Sequence, residues 1–209
     1  LRLRMVQIGE TFGRFPRVVR DVAKELGKEI DLQISGSETE LDKSMVDYIG
    51  DPLMHLVRNA VDHGIESSSV REQRGKPTKG TVRLNAYHDS GSIVVEVSDD
   101  GGGLSRAKIR AKAVDKGLIS ADQVLGDSDL YKLILEPGFS TADQVTNLSG
   151  RGVGMDVVKR NIEALRGSVE IESQEGAGTT VKLRMPLTLA IIDGFLVQVD
   201  TAHYVIPLD

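Results

Sequence analysis

The chain has 209 residues, of which 40% are hydrophobic and 27% charged, with a formal net charge of -5. That is an ordinary composition for one folded domain with room for the start of a second, and its acidic balance argues against a nucleic-acid binder, which needs a basic surface to displace counterions. The lack of cysteine excludes disulfides, thiol nucleophiles and zinc–thiolate sites and suits a reducing compartment; no apolar run approaches the roughly 20 residues of a membrane span, and no signal peptide opens the chain, so no membrane insertion is expected.

RFPRVVRDVAKELGK (14–28) spaces Val18, Val19, Val22 and Leu26 along one helical face, with Pro16 near the first turn and Gly27 as a stop. EIDLQISG alternates Ile30, Leu32 and Ile34 as a strand. LDKSMVDYIGDPLMHLVRNAVDHG (41–64) is a long helical pattern turning Leu53, Leu56, Val57, Ala60 and Val61 to a core, and Pro52 predicts a break or kink before them. ESSSVREQRGKPTKG (66–80) is polar and reads as a connection. TVRLNAYH and SIVVEVSDD form two strands around DSGS, a hairpin turn. LSRAKIRAKAVDKG (104–117) is a helix with Ser105 as N-cap, and 118–136 has weaker helical character. PGFSTADQVTNLSGRGVG (137–154) loses apolar periodicity; a loop of that length in a compact domain is usually functional, often a lid. VGMDVVKRNIEALRG returns to a helix closed by Gly167, and SVEIESQ and TTVKLRMP are strands joined by EGAG. The last stretch, LAIIDGFLVQVDTAHYVIPLD, reads as the opening strands of a further all-β domain, so the sequence looks like a piece of a longer protein.

Two features ask for more than a fold. His55, Asn59 and His63 recur four residues apart on one helical face, although neither His nor Asn is a good helix former. Imidazole takes or gives a proton near neutral pH, and an Asn carbonyl oxygen suits a hard cation such as Mg²⁺; a His–His zinc site would need a third ligand, and His88 and His203 fall on predicted strands elsewhere. The second feature is three glycine clusters: DDGGG (99–103), GRGVGM (150–155) and GAGTT (176–180). Glycine lets a ligand lie against the backbone, and a glycine loop entering a helix leaves N–H groups facing one point, an anion site. Taken singly, DDGGG and GAGTT are turn signals. GRGVG lacks the strand and βαβ unit of a dinucleotide fingerprint and the GK[ST] ending of a P-loop.

In order, an Asn on a helix, an Asp-x-Gly-x-Gly turn at a strand end, a polar lid, a Gly-x-Gly helix start and a Gly-Thr in a late hairpin resemble the ATP-binding (GHKL, or Bergerat) fold of histidine kinases, DNA gyrase, mismatch-repair ATPases and large heat-shock chaperones. HLVRNAVDHGIE, PGFST and SGRGVGMDVVK are closest to the catalytic domain of the CheA-type chemotaxis histidine kinases, over about residues 5 to 187. One departure is Gly102, where that family's pattern leads us to expect a basic residue. The resemblance implies an α/β two-layer sandwich: a mixed, mostly antiparallel sheet covered by helices on one face. It divides the chain into 1–10, a remnant of a dimerisation helix or linker; 11–187, the catalytic domain; and 188–209, the incomplete start of an SH3-like regulatory domain.

The resemblance also implies roles, with ATP and Mg²⁺ as cofactors. Asp99 accepts a hydrogen bond from the adenine amino group, Gly101 and Gly103 let the chain turn under the base, and Thr179 assists directly or through water. Asn59 holds Mg²⁺. His63, Asp62 and Arg58 lie on or beside the phosphate face, Arg58 being equally readable as a solvated helix residue. Lys108 and Lys112 resemble phosphate-binding lysines, though surface lysines are common. Gly150, Arg151, Gly152, Val153, Gly154 and Met155 bring main-chain N–H groups to the triphosphate, with Ser140 and Thr141 in the lid and Phe139 as its anchor or as part of a small satellite core. His55 stands where the hydrolase branches carry a Glu, and is read as the group that orients or deprotonates an incoming substrate histidine. That histidine is expected on a separate phosphotransfer domain. The other implied partners are a dimerisation domain, a coupling protein, chemoreceptors and downstream response regulators; the location is cytoplasmic, and this piece is expected to be monomeric. Two rivals stay open: an ATP hydrolase of the gyrase or mismatch-repair type, and a non-catalytic scaffold ordered by nucleotide.

Overall fold

The computed structural model describes residues 4–139 and 154–187, and the backbone of 194–199 and 202–207. Strands β2 (Ile30–Ser35), β4 (Gly80–Asp89), β5 (Ser92–Asp99), β7 (Gly178–Pro186) and β6 (Ser168–Gln174) form one sheet in the order β2–β4–β5–β7–β6. β2 and β4 are parallel and the other pairs antiparallel, so the expected mixed, mostly antiparallel sheet is present. Alternation turns Val82, Leu84 and Ala86, Ile93, Val95 and Val97, and Leu183 and Met185 to one face, where all are buried. Helices α2 (Phe15–Leu26), α3 (Lys43–Asn59) and α7 (Met155–Ala164) cover that face with Phe15, Val19, Ile49, Leu53, Leu56, Val57, Val158 and Ile162. The opposite face carries charge: Tyr87 donates to Glu96 at 2.7 Å and Arg184 to Asp89 at 3.0 Å.

Most local expectations hold. Gly27 closes α2 in the left-handed region (φ 65°), Ser90 and Gly91 turn the β4–β5 hairpin with positive φ, and the Ser105 hydroxyl accepts from the Lys108 N–H at 3.3 Å to cap α5 (Arg106–Asp115). The weak helical character of 118–136 resolves into α6 (Asp127–Lys132) and a 3₁₀ turn, Leu133–Leu135.

Four expectations are corrected. α3 runs through Pro52 without the break that was one of the two expected outcomes, Pro52 leaving the Tyr48 carbonyl without its helical donor. Residues 66–80 are more than a connection, since they contain α4 (Ser68–Gln73) and a buried ion cluster. The left-handed residue after α7 is Arg166 (φ 57°), not Gly167; a Cβ on Gly167 would meet the Arg184 carbonyl, so that glycine serves a close approach instead. Finally, Met5–Gln7 form strand β1, antiparallel to β3 (Glu40–Asp42), rather than the end of a helix, and Ile8 and Phe12 of α1 (Gly9–Phe12) and its approach join the main core. The domain's packing therefore begins before residue 11.

Further along the chain, strands β8 (Gly194–Val199) and β9 (Ala202–Pro207) form an antiparallel hairpin of their own, as the β-rich tail predicts. Among the described residues no helix is long and apolar enough to cross a membrane.

Candidate functional site

β5 ends on Asp99. Alternation continues the inward row Ile93, Val95, Val97 to this carboxylate, and its cross-strand partners are Val82 on β4 and Thr179 on β7. A charged group thus stands where the core stripe meets the rim. Its Oδ1 accepts from the Gly101 N–H at 2.9 Å, and the Thr179 main chain also donates to it. Among the described residues no cation pairs with Asp99. Burial is the largest influence on it and pushes its pKa up to about 6 against the two main-chain hydrogen bonds, with Asp100 and Glu66 adding repulsion. The chain then turns tightly. The Gly102 N–H donates to the Gly64 carbonyl at 3.0 Å, and the Gly176 N–H to the Gly102 carbonyl at 2.7 Å, tying the turn to the end of the long helix on one side and to the β6–β7 hairpin on the other. A Cβ on Gly101 would run into the Gly64 carbonyl, and Gly103 (φ 70°) would run into that of Gln174. Ser173 binds the Thr179 hydroxyl at 3.0 Å and the Leu104 N–H at 2.8 Å, fixing the far wall.

On α3, Asn59 Nδ2 lies 3.2 Å from His55 Nε2 and 3.7 Å from Met155 Sδ at the start of α7. These contacts leave Asn59 Oδ1 without a hydrogen bond among the described residues. Burial first, then the field of His63, lowers the pKa of His55, with Asp156 opposing; His55 is accordingly a neutral imidazole at neutral pH. Residues Ala60–Gly64 form a π-turn, with Ile65 N–H donating to the Ala60 carbonyl at 2.8 Å. His63 lies in that turn, 3.6 Å from Asp62 at the surface. Arg58 is half-buried and makes no ion pair among the described residues.

Lys108 is exposed on α5, and Lys112, half-buried, places its ammonium 4.9 Å from the centroid of the Phe139 ring. Phe139 is buried with Ile109, Ala113, Leu130 and Tyr131, the satellite core that was one of its two readings. Gly154 is the N-cap of α7, and no side chain caps the helix there. Ser140, Thr141, Gly150, Arg151, Gly152 and Val153 lie outside the described residues.

Sequence reasoning missed the residues that brace this corner. Arg71, 1% exposed, donates to Glu66 Oε1 (2.9 Å), Asp100 Oδ2 (3.2 Å) and the carbonyls of Pro77 (2.6 Å) and Asp100 (3.1 Å). Lys76 reaches Glu66 Oε2 at 2.9 Å and the Gly101 carbonyl at 2.8 Å, and Asp100 Oδ1 accepts from the Thr81 N–H at 2.8 Å. Lys28, just past the end of α2, donates to the carbonyls of Val61 (2.9 Å), Asp62 (2.6 Å) and Ile65 (2.7 Å). Gly64, the last residue of the HLVRNAVDHG motif, keeps room for the site, for a Cβ there would come within 2.7 Å of Asp99 Oδ2. The glycine that closes that motif was the available signal; the charges of 66–76 carry none, because what they brace, Asp100 and Gly101, lies 24 to 29 residues further along the chain.

The arrangement offers a partly buried carboxylate with no cation paired to it among the described residues, suited to a neutral N–H donor, and on α3 an amide oxygen beside a neutral imidazole. Those donor types fit an adenine amino group and a hard cation with its phosphates.

The chain is 54% identical over 210 residues to the sensor histidine kinase CheAY of Helicobacter pylori and 50% identical over 210 residues to the chemotaxis protein CheA of Bacillus subtilis, covering 26% and 31% of their lengths. It spans about a quarter to a third of the curated relatives it matches. The mycobacterial sensor histidine kinase MprB has the same fold, with a TM-score of 0.53 at 16% identity over 88% of this chain and 97% of that one. A model of the histidine kinase-, DNA gyrase B- and HSP90-like ATPases matches residues 49–189, a stretch that takes in Asn59, Asp99 and Thr179, and on that match the chain belongs to this ATPase family.

Proposed function

We propose that the chain is the ATP-binding catalytic domain of a CheA-type histidine kinase, passing the γ-phosphoryl group of ATP to a histidine on a separate phosphotransfer domain. The observation that carries this reading is a partly buried Asp99 carboxylate, with no cation paired to it among the described residues, set in a glycine turn tied to Gly64 at the end of the helix that carries the Asn59–His55 pair. Asp99 accepts from the adenine amino group; guanine would present an oxygen to a buried carboxylate and be refused. Asn59 Oδ1 would hold Mg²⁺, which when bound would supply positive charge to neutralise the phosphates. Gly154 and Met155 open α7 toward the phosphates, and Gly150, Arg151, Gly152 and Val153 are assigned there with them, as are Asp62, His63, Arg58, Lys108, Ser140 and Thr141; Lys112 serves Phe139 first. In the transfer the substrate imidazole nitrogen bonds to the γ-phosphorus, the bond to the bridging oxygen breaks, ADP leaves with that electron pair, and the imidazole proton passes to His55.

One observation favours a second role for His55. Its Nε2 lies 3.2 Å from Asn59 Nδ2, so the ring also holds the Asn59 amide in one orientation. His55→Gln separates the two. As a base, its loss spares Mg²⁺-dependent ATP affinity and lowers transfer about 10²–10⁴-fold; as a holder of Asn59, its loss weakens that affinity. Loss of neither removes His55 from the site.

The domain division at about residue 187, the cytoplasmic location, a monomeric state for this piece, and a dimerisation domain, coupling protein, chemoreceptors and response regulators as the parent protein's partners belong to the same proposal. The test is incubation with labelled ATP, Mg²⁺ and a separate phosphoacceptor domain. The expected product is acid-labile, base-stable label on the acceptor and none on this chain. Rapid phosphate release without acceptor supports a hydrolase, and tight binding without transfer to any acceptor supports a scaffold.

A further inference from the structure

The ammonium of Lys28 sits at the end of the motif helix, away from the reacting groups, and bonds the carbonyls of Val61, Asp62 and Ile65 at 2.6–2.9 Å. Those carbonyls lie at a helix C-terminus, where the last turn leaves acceptors unpaired and the helix dipole favours a cation. The turn is also a π-turn, which is less stable by itself than an α-turn. Lys28 bonds residues on both sides of Gly64. Gly64 in turn touches the purine-side carboxylate: its carbonyl takes the Gly102 N–H at 3.0 Å, and its Cα leaves no room for a Cβ beside Asp99 Oδ2. A lysine held by the α2–β2 junction therefore fixes the distance between the helix end and Asp99.

We propose that Lys28 is a positioning residue for base recognition, setting the Gly64–Asp99 gap on which discrimination of adenine from guanine rests. The proposal rests on the nucleotide reading above. A compact ammonium with three rotatable donors suits three convergent carbonyls; the planar fork of an arginine does not. Without it the π-turn relaxes, Gly64 shifts, and the carboxylate gains water. Adenine then loses a hydrogen bond and guanine loses its penalty, so the two affinities converge. Asn59 and His55, one turn or more earlier on α3, keep their contacts, so phosphate-side binding persists.

The test measures ADP, GDP and Mg²⁺-tripolyphosphate binding by calorimetry for the wild type, Lys28→Met and Lys28→Arg. Both variants are expected to lose about tenfold in ADP affinity, the equivalent of one hydrogen bond to a charged group, with the ADP-to-GDP ratio narrowing by at least as much and tripolyphosphate binding within about twofold of wild type. If the Met variant does not fold, the Arg variant carries the measurement. Equal loss of all three ligands shows a merely structural lysine and overturns the proposal, as does an unchanged ADP-to-GDP ratio. A wild type with no preference for ADP overturns the nucleotide reading itself, and the proposal with it.

Discussion

At the scale of single residues, the site turns on a carboxylate and a glycine. Asp99 is pushed up to about 6 chiefly by burial, so its charged form, the better acceptor, is lost as pH falls through that value. Adenosine, which keeps its own charge between about pH 5 and 8, should bind more weakly below about pH 6, and Asp99→Asn should both cut the affinity about 10–100-fold and abolish the pH dependence, as titration calorimetry would read. A variant that keeps the same pH profile removes Asp99 from the base pocket. Gly64→Ala separates site from fold. Gly64 has no left-handed φ, and Ala is favoured over Gly in a helix, so the stability should change by no more than about 1 kcal/mol. The added methyl nonetheless stands 2.7 Å from Asp99 Oδ2, and nucleotide affinity should drop at least about tenfold, the effect of displacing one charged hydrogen bond. A fully competent Gly64→Ala variant, assayed by calorimetry and thermal melting together, would contradict the geometry of the rim.

Among the elements, the segment 66–80 braces the glycine turn through charges that water barely reaches. The side chains of Arg71 and Glu66 are 1% and 8% exposed, whereas that of Arg74, which also pairs with Glu66, is 52% exposed. Arg71→Met removes one of the two closest partners of a buried carboxylate, Lys76 remaining as the other, together with the bonds to Asp100 and Pro77, and should cost about 2–4 kcal/mol; Arg74→Met should cost less than about 1 kcal/mol. Equilibrium denaturation of the two variants checks the contrast, and equal effects would mean the buried pairing is not formed. This segment also shows where the sequence stops being legible. Signals that act within a few residues, such as the Ser105 cap, the Gly27 stop and the alternation of β5 that delivers Asp99 to the core-facing side, were all present in the one-dimensional pattern. The glycine boxes placed Asp99, Gly101 and Thr179 together for the same reason, because each box marks its own turn. The pairing of Arg71 with Asp100, and of Lys28 with the end of α3, joins positions 29 and more than 30 residues apart, and nothing local selects those partners among the chain's other charges. Pro52 does not break α3, because the packing of Ile49, Leu53, Leu56 and Val57 against the sheet holds the helix on both sides of it.

For the whole molecule, the site lies at the end of the seam between sheet and helices, so the free protein keeps two misfit titratable groups in one place. Their effects on stability oppose each other. Asp99 has a folded pKa of about 6, above its ordinary 3.8, so its ionised form costs stability fully above about pH 6, and the cost is relieved as pH falls through the folded value toward 3.8. His55 has a folded pKa below its ordinary 6.5; the stability its neutral form preserves is complete above 6.5 and is lost as pH falls through 6.5 toward the lowered value. Glu66 and Asp42, both held below their ordinary 4.5 and 3.8, lose their stabilising charge only in more acid solution. Between about pH 7 and 5 the two contributions to the stability of the nucleotide-free protein therefore run in opposite directions. Removing one partner exposes the other. His55→Gln should become more stable by about 1 kcal/mol on acidification across that window, because only Asp99 remains to be relieved, while Asp99→Asn should lose stability over the same interval, because only His55 remains to be charged. Urea denaturation at each pH, without nucleotide, reads both slopes. Parallel curves for the two variants would mean that the carboxylate and the imidazole do not carry the strain assigned to them, since opposite slopes follow only if burial has moved the two groups in opposite directions within one rim.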